Sequence, residues 1–203
     1  MNYGSTYGAE GNLINENDVK SDSSTYFDWK TFSEVWLLDS RLEVIMLVSV
    51  LLNGMAAGII FIFSNTVMPS LATLDPAVGI NIMNTINGLI VNPLFIIAFF
   101  GGLISAYPAI KMWKNPNDFP MAARYYGIAT TLVFFFGEFM VTCTQNVPRN
   151  NALLAVDPES ESGVKYWEDD FLISWVAWNT ARCVFSIIAT VLGVLCLCHM
   201  RKP

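Results

Sequence analysis

FLISWVAWNTARCVFSIIATVLGVLCLC, residues 171–198, is a 28-residue apolar run carrying one charged side chain, Arg182. A helix needs about 20 residues to cross about 30 Å of hydrocarbon, so this run can span a membrane. Residues 44–63, 94–113 and 126–143 have the same character. The sequence therefore reads as all-α: a four-transmembrane-helix bundle, with a short extra helix in the first outer connection and a disordered acidic N-terminal tail. The tail is assigned to 1–41 and the membrane domain to 42–203.

The composition agrees. The chain has 203 residues, 54% of them hydrophobic and only 14% charged, where a soluble domain carries about 25% charge. The net charge of −6 excludes nucleic acid as an expected partner. The lipid bilayer is the partner this composition demands, and homo-oligomerisation is left open. Residues 1–41 contain no apolar segment of signal-peptide type, so the first crossing is expected to act as its own insertion signal.

Basic residues set the expected orientation. Lys30 and Arg41 precede the first crossing, Lys111, Lys114 and Arg124 lie between the second and third, and Arg201 and Lys202 follow the fourth. These positions share one side, which the positive-inside rule makes cytoplasmic for both termini. The opposite connections are rich in amides: Asn65, Asn81, Asn84, Asn87 and Asn92 in one, Asn146, Asn150 and Asn151 in the other. Asp75-Pro76 reads as an N-cap and first-turn proline opening a helix to about Ile90. Met68-Pro69 is expected to end the first crossing, because proline lacks a backbone donor and clashes with the preceding turn. Gly54 and Gly58 form a G-x-x-x-G expected to admit a close helix neighbour, and Asn53 should hydrogen-bond across helices.

Chemistry-bearing patterns are few. The only histidine is His199, the cysteines Cys143, Cys183, Cys196 and Cys198 form no C-x-x-C, and phosphate-binding and dinucleotide fingerprints are missing. No metal or organic cofactor is expected. Glu138 and Arg182 are the charges expected inside hydrocarbon, with Arg182 about 16 Å deep, and such groups face a bundle interior or water. One reading makes them an ion pair pinning helix three to helix four. The other places them in a pocket for a flat apolar molecule. Trp175, Trp178, Asn179 and Arg182 share a helical face, and Phe134, Phe135, Phe136 and Phe139 surround Glu138 in sequence.

Phe63-Ser64-Asn65-Thr66-Val67-Met68-Pro69, Met83-Asn84-Thr85-Ile86-Asn87 and Asn92-Pro93-Leu94-Phe95 make a motif series. Asn146-Val147-Pro148-Arg149-Asn150-Asn151-Ala152-Leu153 and Trp178-Asn179-Thr180-Ala181-Arg182 continue it. The series, over about 45–195, resembles the anthrone oxygenase-like family of small four-helix membrane proteins, formerly a domain of unknown function (DUF1772 type). The resemblance implies oxidation of a lipophilic polycyclic phenol by O₂ as co-substrate, without metal or flavin. On that footing Glu138 is the expected base, and Arg182 with Asn179 the oxyanion site. Asn84, Asn87, Phe139, Arg149, Asn150 and Trp178 are the expected contacts to an aromatic lipophilic small molecule. The chain departs from the family pattern at Arg149, where an aliphatic residue is usual, and at Thr180, where histidine is frequent. Non-enzymatic alternatives are a membrane small-molecule binder or scaffold subunit and, more weakly, a transporter.

Overall fold

The structure, a computed structural model, describes residues 41–200. Residues 1–40 of the expected acidic tail and the C-terminal Arg201 and Lys202 lie outside the described residues, and Arg41, assigned to the tail, opens the first helix. Within them the chain is all-helical, with no strand. We name the helices α1 (Arg41–Leu71), α2 (Pro76–Ile90), α3 (Pro93–Lys114), α4 (Met121–Ala155) and α5 (Glu161–Met200). All but α2 are long and apolar enough to cross a membrane.

The four long helices form a closed ring. α5 packs against α1 and α4, and α3 closes the other side between them. Polar side chains link the neighbours. Asn53 Nδ2 donates to the Ser186 carbonyl at 2.9 Å and to Thr190 Oγ1 at 2.8 Å, tying α1 to α5. Ser49 Oγ donates to the Gly101 carbonyl at 2.8 Å, tying α1 to α3. The Ser105 and Thr131 hydroxyls meet at 2.9 Å between α3 and α4. Inter-helix hydrogen bonds in membranes average about 0.6 kcal/mol, so the set fixes register more than it supplies stability.

Close approach falls elsewhere than expected. A Cβ at Gly58 would meet nothing within 4 Å, and one at Gly54 would make only ordinary contact with Thr190 at 3.7 Å. Tighter crossings include Gly102, where a Cβ would strike the Phe134 ring, Gly137, where it would strike Phe185, and Gly101 and Gly193, where it would strike Leu52 and Val50 of α1. The G-x-x-x-G instead lines an open surface groove.

Two prolines behave differently from the sequence expectation. α1 does not stop before Pro69. It passes through a π turn at Phe63–Val67, in which the Met68 N–H reaches back to the Phe63 carbonyl, and continues to Leu71. α4 repeats the device: a π turn at Thr142–Asn146, with the Val147 N–H bonded to the Thr142 carbonyl, precedes Pro148, and the helix continues to Ala155. Proline clashes with the carbonyl four residues back in an α-helix. One wider turn re-aims that carbonyl, so the helix bends and goes on. Asn146, Asn150 and Asn151, expected in the second outer connection, therefore lie on helix.

At 31, 35 and 40 residues, α1, α4 and α5 are thus longer than the about 20 residues one crossing needs. Beyond the π turns, Met68, Leu71, Leu153, Trp167, Phe171 and Trp175 form a second core, completed by Ile80 and Met83 of α2. Asp75 caps α2 by accepting from the Ala77 N–H at 3.0 Å, and Asn92 caps α3 through the Leu94 and Phe95 N–H groups, both at 3.1 Å. The opposite end has its own core around Met46, Met112, Ala123 and Cys196. There the Arg124 guanidinium lies over the Trp113 ring at 5.6 Å, an aromatic and basic girdle of the kind that marks a membrane surface.

Candidate active site

Near the junction between the spanning bundle and its distal core lies a cavity of about 120 Å³. All five helices contribute. α1 gives Ile59, Ile60 and Phe63, α2 gives Asn87 and Ile90, and α3 gives Phe95. α4 gives Thr142, Asn146, Val147 and Asn150, and α5 gives Trp175 and Arg182. Val91, in the link between α2 and α3, completes the wall. Counted along the helices from the basic end, Ile60, Phe95, Thr142 and Arg182 all lie roughly 27–32 Å away at 1.5 Å per residue. A hydrocarbon layer of about 30 Å beginning at the basic end would finish at this level. With the layer placed so, Arg182 would stand near its far edge; α5 itself begins ten residues before the apolar run, at Glu161.

The guanidinium is held from several directions. Its Nε and Nη2 donate to Asn179 Oδ1 at 2.9 and 2.6 Å, and its Nη1 donates to Thr142 Oγ1 at 2.9 Å. The Trp175 ring lies 5.9 Å from it, a cation–π contact. Asn179, fully buried, uses its amide N–H₂ on α1, donating to the Ile60 carbonyl at 2.9 Å and Ser64 Oγ at 2.7 Å. Trp175 is held in turn: its indole N–H donates to Asn150 Oδ1 at 2.6 Å, and its ring stacks on Phe171, which stacks on Trp167. The spacing of four places these three rings in line along α5.

Glu138 is fully buried behind this group and is not part of the cavity wall. Its Oε2 accepts from the Ser186 hydroxyl, while Oε1 has no partner. No direct ion pair joins it to Arg182, contrary to one sequence expectation. The reason is local: Asn179, three residues from Arg182 on the same face, captures the guanidinium first. Thr142 stands between the two elements, accepting from Arg182 and donating to the Glu138 backbone carbonyl at 2.8 Å.

The other expected contacts divide. Asn87 and Asn150 line the cavity. Asn84, on the same face of α2, does not, and its Oδ1 is buried without a partner. Arg149 is committed to its surroundings, donating to Ser174 Oγ at 2.9 Å and to the Gln145 carbonyl at 2.8 Å. Phe139 packs with Phe99, Phe100 and Phe135 between α3 and α4, away from the cavity. Trp178 is 37% exposed on the outer surface of α5. Asn146, Thr142, Phe63 and Phe95 are wall residues that were not among the expected contacts. Among the described residues no three His, Cys, Asp or Glu side chains come together as a metal site would require.

The family model described as anthrone oxygenase matches residues 83–192, over half of the chain. The chain belongs to the anthrone oxygenase family. The matched region runs from α2 into α5 and contains the cavity's polar residues, Asn87, Thr142, Asn146, Asn150 and Arg182. No curated protein and no solved structure matches this family member.

Proposed function

We propose that the protein is a multi-pass membrane oxygenase that converts a lipophilic, anthrone-like polycyclic phenol to its quinone with O₂. The observation that carries this reading is the buried guanidinium of Arg182 in the wall of a largely apolar cavity, in a chain of the anthrone oxygenase family. An anthrone carries an acidic CH₂ opposite its carbonyl. Loss of one proton gives an anion whose charge rests largely on the carbonyl oxygen. Arg182, already oriented by Asn179 and Thr142, stabilises that oxygen where its charge develops. Glu138, the carboxylate buried behind the wall, is the assigned base, and because it does not line the cavity the proton reaches it through one bridging water. The carbanion form bonds to one oxygen of O₂, and protonation gives a hydroperoxide. Loss of the second C–H proton breaks the O–O bond, releasing water and leaving a carbonyl. One O₂ is consumed and one water formed per quinone. The residues supply binding, charge and a dry surrounding, and the ring system supplies the electrons.

The cavity is close to the benzene-binding scale of about 150 Å³. One ring enters, and the remaining rings lie toward Val91, which is 68% exposed. The basic end is cytoplasmic in this reading, with the cavity at the opposite membrane surface.

The test is O₂ uptake and anthraquinone absorbance with protein in lipid vesicles and an anthrone as substrate. A rate above the protein-free blank is expected, with Arg182→Met and Glu138→Gln each lowering it at least about 100-fold, the scale of losing one oxyanion donor or a general base. A wild-type rate equal to the blank would falsify the enzyme reading. One observation favours a second reading, a non-enzymatic binder: no carboxylate or histidine lines the cavity itself. Binding of the quinone without turnover of the anthrone would select it.

A further inference from the structure

Asn146 is 1% exposed, lines the cavity, and has an amide oxygen with no hydrogen-bond partner. Its orientation follows from its other end. The amide nitrogen donates to the Trp175 backbone carbonyl at 3.3 Å. A carbonyl only accepts, so the end facing Trp175 must be N–H₂ and the other end must be oxygen. The neighbouring Asn150 is fixed the opposite way. Its Oδ1 takes the indole N–H of Trp175, which only donates, so its N–H₂ is the end left over. Arg182 offers donors alone. The Thr142 hydroxyl is engaged both as donor and as acceptor. The polar wall therefore supplies donors from Arg182 and Asn150, the Asn87 amide, whose nitrogen is buried without a partner and whose orientation no hydrogen bond fixes, and one buried acceptor of settled identity, Asn146 Oδ1.

A buried acceptor left unpaired is costly, and a ligand that satisfies it gains over one that does not. We infer that Asn146 is a specificity-determining residue that accepts a hydrogen bond from a hydroxyl on the ring seated in the cavity. The preferred guest is thus a phenol whose hydroxyl is not already bonded to a neighbouring carbonyl of the same molecule. Its ketone oxygen or oxyanion faces Arg182. This rests on the reading of the cavity as an aromatic site, and it does not require turnover.

The experiment measures binding of 2-hydroxyanthraquinone and 2-methoxyanthraquinone to the full chain in phosphatidylcholine vesicles, by quenching of tryptophan fluorescence, in mildly acidic buffer that keeps the phenol protonated. The hydroxy compound should bind roughly 10-fold or more tightly. In Asn146→Leu, and in Asn146→Gln, which displaces the oxygen by one methylene, the ratio should fall to about one. Equal binding of the two compounds to the wild type overturns the inference, and so does a ratio unchanged in either folded variant. Discrimination without any anthrone oxidation would remove the enzyme reading and leave this one standing. Oxidation without discrimination would do the reverse.

Discussion

Arg182 shows how a buried charge is held without a carboxylate partner. Its Nε and Nη2 donate to Asn179 and its Nη1 to Thr142, with the Trp175 ring beside the guanidinium, and none of these partners is a carboxylate. Asn179 is the pivot, since its oxygen orients the guanidinium while its nitrogen fastens α5 to α1. Asn179→Ala should lower stability by roughly 1–3 kcal/mol, read as thermal unfolding in detergent, because it strands the Arg182 donors on one side and the Ile60 carbonyl and Ser64 hydroxyl oxygen as acceptors on the other. It should also weaken quinone binding, whereas Thr180→Val, at an exposed position, should leave binding unchanged. The pairing of Asn179 with Arg182 was legible from three-residue spacing. Asn146 was not: its role depends on α4 continuing past Pro148, which propensity rules argue against.

The helices themselves carry a second lesson. Met68-Pro69 reads as a stop and Pro148 falls beyond the expected end of the third crossing, yet in both places a π turn just before the proline removes the clash. Nothing in the local sequence announces a six-residue ring; it follows from the distal core, where Met68, Leu71 and Leu153 have partners to reach. By contrast, α2 was readable to its ends, because Asp75-Pro76 and Asn92-Pro93 are local signals. Glycine motifs divide the same way. Gly102→Ala should cost about 1–3 kcal/mol, since Phe134 must move in a packed crossing. Gly58→Ala should be neutral or slightly stabilising, because its surroundings are open and alanine favours helix. Thermal midpoints of the two variants in one detergent check the contrast.

At the scale of the molecule, the spanning ring was legible from hydropathy alone, while its extension into a distal core was not. Hydropathy records what lipid tolerates, and the distal core is built from Trp167, Phe171 and Trp175 interleaved with the acidic residues Glu168, Asp169 and Asp170. Orientation is checked with an impermeant thiol reagent on intact cells. In a Cys143→Ala background, which removes an exposed native thiol, Asn151→Cys should label and Asn115→Cys should not; the reverse pattern would invert the topology. The cavity wall reaches the surface at Val91, flanked by Leu89 at 72% and Leu94 at 77% exposure. Water does not favour such a rim, and a greasy guest dissolves in lipid in preference to water. Kinetics would then obey surface dilution. Adding blank vesicles that exchange guest, at constant total guest and protein, should slow turnover in proportion to the added phospholipid, so the meaningful Michaelis constant is a mole fraction and not a molarity.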